Sequence, residues 1–280
     1  MQRVGGWVPA GLDLSRPSAA RMYDYLLGGA RNFEADRQLA ARVSRAHPGC
    51  WGIARLNRSF LRRVVLELSA AGVRQFLDLG SGIPTVGNVH EIAQRADPAA
   101  RVVYVDHDSV AVAHGQLLLQ DTPGVDVVLA DLRDPDSVLT SPITRQLLDL
   151  DQPVGLLMVC VVHFLAPEDD PVGVIGRFRA ALAPGSYLAL SHLTADSAAA
   201  QMNGLVEVMR AGHQPIHPRS RAQITDLFTG FDLAEPGVVS IAEWRPCPLD
   251  YGTDLPERHQ VLAGVGITRR ESPVPLQNLA

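Results

Sequence analysis

The stretch that most restricts the fold runs from Arg74 to Asp108. A short apolar run, Phe76 to Leu79, breaks on Gly80 and Gly82; a helical stretch follows, and Arg101-Val-Val-Tyr-Val-Asp106 closes it. Apolar runs of strand length flanking a glycine turn and a helix read as a βαβ unit. The glycines carry a physical meaning, because a backbone leaving a strand comes close to a ligand only where no Cβ intervenes. Behind them a helix N-terminus offers free N–H groups, and Asp106, ending the second strand, is placed to accept both hydroxyl protons of a ribose. Any adenosine-containing ligand fits this much.

Two details separate the candidates. A dinucleotide fingerprint needs a third small residue in G-x-G-x-x-G/A, and here Thr85 stands there. An acid, Asp78, lies two residues before Gly80, giving D-x-G-x-G. A carboxylate at that place suits the cationic end of a ligand better than a pyrophosphate, and S-adenosylmethionine has that character.

Asp78-Leu-Gly-Ser-Gly82 with Asp106 resembles the signature of class I S-adenosylmethionine-dependent methyltransferases. The longer strings Phe76–Thr85, Gly87-Asn-Val-His-Glu91 and Val102–Asp108 resemble an actinobacterial methyltransferase family long described as a domain of unknown function. Pro17–Gly29, Glu235-Pro-Gly-Val-Val239 and Glu243-Trp-Arg-Pro246 match it too, so the resemblance covers roughly residues 15–267. It implies an α/β, Rossmann-like sheet in the order 3-2-1-4-5-7-6 with strand 7 antiparallel, helices on both faces and an N-terminal helical cap. It also implies that Asp78, Gly80, Gly82, Asp106 and His107 bind the cofactor. Asp131 would accept from the adenine amino group while the Leu132 amide meets the ring.

Composition narrows the partners. With 280 residues, 46% of them hydrophobic, the chain can bury roughly three quarters of its unfolded surface. The formal net charge of −5 leaves no broad basic face for phosphates, so nucleic acid is not an expected partner. All 25 basic residues are Arg, which removes Schiff-base chemistry and a P-loop lysine. Cys50, Cys160 and Cys247 are too few and too far apart for a disulfide framework or a paired-cysteine zinc site. A reducing, cytoplasmic setting follows, and no apolar run reaches membrane-spanning length.

Along the chain, residues 1–14 are broken by Gly5, Gly6, Pro9 and Gly11 and read as a loose arm. Residues 15–72 read as a cap of three helices: Ser18–Leu27, a second capped by Asn32 and running to Ala46, and a third over Ile53–Ala71. Residues 73–267 form the cofactor-binding domain. Strands are expected at Val125–Ala130, Pro153–Val161, Tyr187–Leu193, Phe231–Ile241 and His259–Ile267, and helices at Glu168–Leu182, Thr194–Arg210 and Arg219–Phe228. Gly212–Pro218 reads as a mobile linker and 268–280 as a flexible tail.

In open α/β sheets ligands gather outside the carboxyl ends of the strands, which brings His163, after the fourth strand, into the site as the candidate catalytic residue. His192, ending the fifth, is expected to line the acceptor pocket. Tyr23, Tyr25 and Phe33 are expected to line a lid. Arg21 is placed by default on the surface, His90 and Glu91 in packing or solvent contacts. His213 and His217 have metal spacing, but Pro215 between them spoils the helix, so no metal is expected. The function this predicts is methyl transfer to a small molecule by in-line displacement, with a non-catalytic cofactor-binding module or a nicotinamide oxidoreductase as alternatives.

Overall fold

The computed structural model describes residues 14–84, 87–194, 196–247 and 255–269. The arm up to residue 13, Thr85, Tyr251 and the tail beyond 269 lie outside them.

Strand β1 (Gln75–Leu79) is buried along its whole length, the pattern of a parallel strand covered on both faces. It passes through α4 (Val89–Ala96) to β2 (Arg101–Asp106), then through α5 (Ser109–Leu119) to β3 (Val125–Leu129). Asp108 caps α5 by accepting from the Val110 and Ala111 amides at 2.8 and 3.1 Å, as an acid before a helix should. Two short helices, α6 (Pro135–Leu139) and α7 (Pro142–Leu147), precede β4 (Gly155–Val159). The chain continues through α8 (Pro171–Ala180), β5 (Tyr187–Leu193), α9 (Ala199–Ala211) and α10 (Arg221–Asp226). Three antiparallel pieces finish the sheet: β6 (Phe231–Leu233), β7 (Val239–Ser240) and β8 (Val261–Thr268).

The order is β3-β2-β1-β4-β5-β8-β6, with β7 also pairing β8. This is the expected 3-2-1-4-5-7-6 arrangement, because the single strand expected over Phe231–Ile241 is divided by a turn in which Gly237 (φ 82°) donates to the Ala234 carbonyl. The helix expected from Glu168 starts instead at Pro171. Asp170 adopts a left-handed conformation (φ 47°) and its carboxylate caps the Gly173 amide.

Helices α1 (Ala19–Leu26), α2 (Glu34–Ala46) and α3 (Cys50–Ala70) precede β1. Their apolar faces join α4, α9 and one sheet face in a single core, while α6, α8 and α10 pack on the other. Asn32 does not cap α2. Its amide donates to Asp24 and the Gly29 carbonyl, and Asp36 satisfies the Phe33 amide at the helix start instead (2.8 Å). Segment 212–218, expected to be mobile, is tied on both sides. The Gln214 side chain accepts from the Ala19 amide, and the His217 amide donates to the His163 carbonyl at 2.7 Å.

Trp244, fully buried, meets Phe60 edge-on at 5.5 Å. Below it the buried Arg63 donates from Nε to the Trp244 carbonyl (3.0 Å) and from a terminal nitrogen to the Ile241 carbonyl (2.6 Å). Arg63→Met should destabilise the protein by about 2–4 kcal/mol, since two buried carbonyls lose their donors. A lower urea midpoint at unchanged slope is the expected signature; an unshifted midpoint refutes it.

Candidate active site

The carboxyl ends of β1, β2 and β4, with the turn after β3, open into one cavity of about 380 Å³ that continues beneath α1, α2, α3 and α9. Its walls include Asp78, Gly80, Gly82, Asp106, His107, Asp131, Leu132, Tyr23 and His163.

The glycine turn folds over the end of β2. The Gly80 and Ser81 amides both donate to the Val105 carbonyl (2.8 and 3.1 Å), and the Gly82 amide donates to Asp106 Oδ2 (2.8 Å). Both glycines have positive φ, 68° and 63°, but they differ in surroundings. A Cβ on Gly80 would meet Val161 Cγ2 at 2.1 Å, whereas a Cβ on Gly82 would find its nearest neighbour, Ala20, at 3.9 Å. Gly80 therefore serves packing within the protein, and Gly82 leaves the open approach.

Asp106 is buried, and its Oδ1 also accepts from the Asp108 amide at 2.9 Å. With one backbone donor on each oxygen, each retains lone-pair capacity for a further donor. Asp78 is buried at the floor of the turn, and burial, reinforced by Asp106 and opposed by Arg58, raises its pKa to about 7. The exposed His107 lies with Nδ1 3.8 Å from Asp106. Asp131 is gripped by Arg133, whose Nε and terminal nitrogen approach to 3.0 and 2.6 Å and hold its carboxyl below the usual range.

Of the expected lid aromatics, only Tyr23 lines the cavity. Tyr25 packs edge-on against Trp51 at 5.5 Å, and Phe33 lies under the Arg21 guanidinium at 5.5 Å. For Tyr25 the reason is helical geometry, since residues two apart on α1 cannot share a face, while Phe33 stands at the start of α2. The Tyr23 hydroxyl donates to the Ala54 carbonyl (3.1 Å) and accepts from Asn57 (3.0 Å). Asn57 Oδ1 in turn accepts from Ser191 (2.6 Å), and the Ser191 hydroxyl accepts from the Cys160 amide (2.9 Å). This chain joins cap to sheet, and sequence reasoning missed it; an Asn within the apolar stripe of α3 was the available signal.

His192 does not line the cavity. Its Nδ1 donates to the Leu193 carbonyl at 2.7 Å, its Nε2 accepts from Arg219 at 2.8 Å, and burial holds its pKa down at about 3. Alternation along β5 explains this: Leu193 faces the cavity, so its neighbour cannot. His163 is a wall, packed between Phe164 and His192 with centroids at 4.6 and 5.6 Å. Burial, aided by His192 and Arg219, lowers its pKa well below the ordinary value.

Arg21 is not on the surface. Only 4% exposed, it bridges Asp36 (2.9 Å) and Asp108 (3.2 Å) and so fastens α1 beside the end of β2. His90 is a packing residue, as expected, with its Nδ1 2.8 Å from the Tyr104 hydroxyl.

Residues 5–269 match the S-adenosyl methyltransferase family. The chain belongs to that family. A candidate methyltransferase from Thermobifida fusca YX shares 43% identity over 95% of this chain and 100% of its own, with a TM-score of 0.88. A DUF574 family protein from Streptomyces avermitilis shares 38% identity over 91% and 99% of the two chains, also at 0.88. An O-methyltransferase family protein from Burkholderia thailandensis, 14% identical over 92% of this chain and 66% of its own, has a TM-score of 0.52 and shares the fold. No curated protein matches. The protein is thus an S-adenosylmethionine-dependent methyltransferase with a Rossmann-like class I fold, and not a nicotinamide oxidoreductase. No helix among the described residues is long and apolar enough to cross a membrane.

Proposed function

We propose that this methyltransferase acts on a small-molecule acceptor seated under the helical cap, by in-line displacement. The observation that carries the reading is the single cavity joining the glycine turn to an apolar chamber walled by cap residues such as Met22, Leu26 and Ile53. S-adenosylmethionine supplies a methyl group already activated on a sulfonium.

The residues fit that cofactor. The free lone pairs of Asp106 accept the ribose hydroxyls, and Gly82 leaves room for close approach. Asp78 would face the cationic end, His107 would flank the ribose, Asp131, already held by Arg133, would accept from the adenine amino group, and the Leu132 amide would meet the ring. With the methyl donor preactivated, the chain contributes mainly position. His163 touches the acceptor side as a neutral imidazole; its lowered pKa makes it a weak base, so hydrogen bonding suits it better than proton removal.

Calorimetric titration with S-adenosylmethionine and S-adenosylhomocysteine between pH 6 and 8 tests the assignment. Asp78 titrates near 7 in the free protein, and a cationic ligand favours its ionised form, so binding should release a proton below pH 7. Affinity should rise up to about tenfold per pH unit below 7 and level off above. The free protein should show the matching sign in stability: an acid raised on folding contributes most below its unfolded pKa and loses that contribution as pH climbs towards 7. A pH-independent affinity sinks the role given to Asp78, and failure of both sulfur ligands to bind sinks the site.

A further inference from the structure

The acceptor side of the cavity has a second imidazole. His47 follows α2 and has no exposed surface, yet it is one of the cavity walls. Its Nε2 is hydrogen-bonded to Gln260 Oε1, and Gln260 Nε2 donates to Gln201 Oε1 on α9 at 3.3 Å. This arrangement sets the tautomer. Because the Gln260 amide nitrogen is engaged as a donor, its oxygen is what faces His47, so His47 Nε2 carries the proton and Nδ1 presents a bare lone pair. Nothing among the described residues donates to that Nδ1. Buried polar atoms in native proteins are ordinarily satisfied, and two imidazole nitrogens in this cavity's wall are not, His47 Nδ1 and His163 Nδ1, which points to a ligand that satisfies them.

Resting on the reading above, we infer that His47 Nδ1 accepts a hydrogen bond from the methyl acceptor, and that the acceptor is an uncharged, largely apolar ring compound bearing one hydroxyl or N–H. The neighbouring walls decide the rest of its chemistry. Val43, Ile53, Leu205, Met209 and Ile216 are apolar, and the two arginines in the wall already have partners, Arg58 of α3 at the Gly87 carbonyl and Arg133 at Asp131. A charged acceptor would lose its hydration here without gaining a partner. A hydroxyl donating to Nδ1 would instead fix the orientation of a flat molecule packed among these side chains, and the bond is held in place by the Gln260–Gln201 pair behind the ring. His47 is thus an orienting residue that touches substrate.

The test uses protein saturated with S-adenosylhomocysteine, titrated with 2-naphthol and with naphthalene, which differ by one hydroxyl. The expected result is a roughly tenfold preference for 2-naphthol, accompanied by an upfield ¹⁵N shift of the His47 Nδ1 resonance that naphthalene does not produce. His47→Phe should abolish the preference and leave S-adenosylhomocysteine affinity unchanged. Equal binding of the two probes, binding of neither, an unmoved Nδ1 resonance or a preference surviving in His47→Phe each overturns the assignment. Should the variant fail to fold, the wild-type preference and resonance decide alone. Failure of S-adenosylhomocysteine itself to bind is a separate outcome, which strikes the cofactor site and not His47.

Discussion

Replacing Asp106 with Ala should weaken S-adenosylmethionine binding ten- to a hundredfold or more, the largest loss expected from any single contact to the cofactor. The carboxylate is 6% exposed, and burial raises its pKa while the Asp108 and Gly82 amides pull it back. Those two amides also aim it, one on each oxygen at 2.9 and 2.8 Å. Charge-assisted bonds to ribose hydroxyls contribute on the order of 1.5–3 kcal/mol, which gives the stated range. The variant also frees the Gly82 amide from its anchor, so the turn loses part of its shape. Asp106→Asn should be milder, because an amide oxygen still accepts from one amide. Calorimetry on both variants, with a urea melt to check folding, measures this; an alanine variant binding as tightly as wild type removes the ribose role.

Gly80→Ala should damage the site more broadly. The left-handed conformation alone costs an alanine about 1–2 kcal/mol. The methyl would then lie 2.1 Å from Val161 Cγ2 and 2.8 Å from its Cβ. A Cβ cannot swing aside as a side-chain tip can, so β1 or the segment after β4 has to move, at a typical overpacking cost of about 1–3 kcal/mol. That segment begins at Cys160, itself left-handed at φ 55°, and leads directly to His163. Both stability and cofactor affinity should fall, and Val161→Gly in the same chain should recover part of each through coupling between touching residues. Additive losses in the double variant rule out the proposed clash. Gly82→Ala is the contrast: with its nearest neighbour at 3.9 Å, it should cost mainly conformation in the free protein and show its steric penalty only with cofactor.

The strand, glycine turn and closing acid were readable because each is a local matter. Alternation, apolar runs and turn residues act over a few neighbours, and the direction of a βαβ crossover then places the strand ends together. The misplaced residues share a different character. Tyr25 and His192 sat in the correct elements, but a helix and a strand each direct successive side chains to different faces, and the choice of face depends on what packs there. An isolated Arg reads as a surface residue, but Asp36 and Asp108, 15 and 87 residues away, bury Arg21. The division of the expected sixth strand turned on Gly237, whose positive φ ends the pairing.

By itself the amino-acid order determined the α/β class, the turn at Gly80 and Gly82, the acids at Asp78 and Asp106, and through them the kind of cofactor. Only the tertiary structure decided which groups wall the chamber under the cap. Asn57 meets Ser191 across 134 residues, and His47 meets Gln260 across 213. Such contacts leave no periodic trace, because they form between elements whose distance along the chain is unrelated to their distance in space. The strand-end side of the cavity is therefore built from short-range chemistry around one βαβ unit, and the cap side from long-range packing of the helices on the sheet.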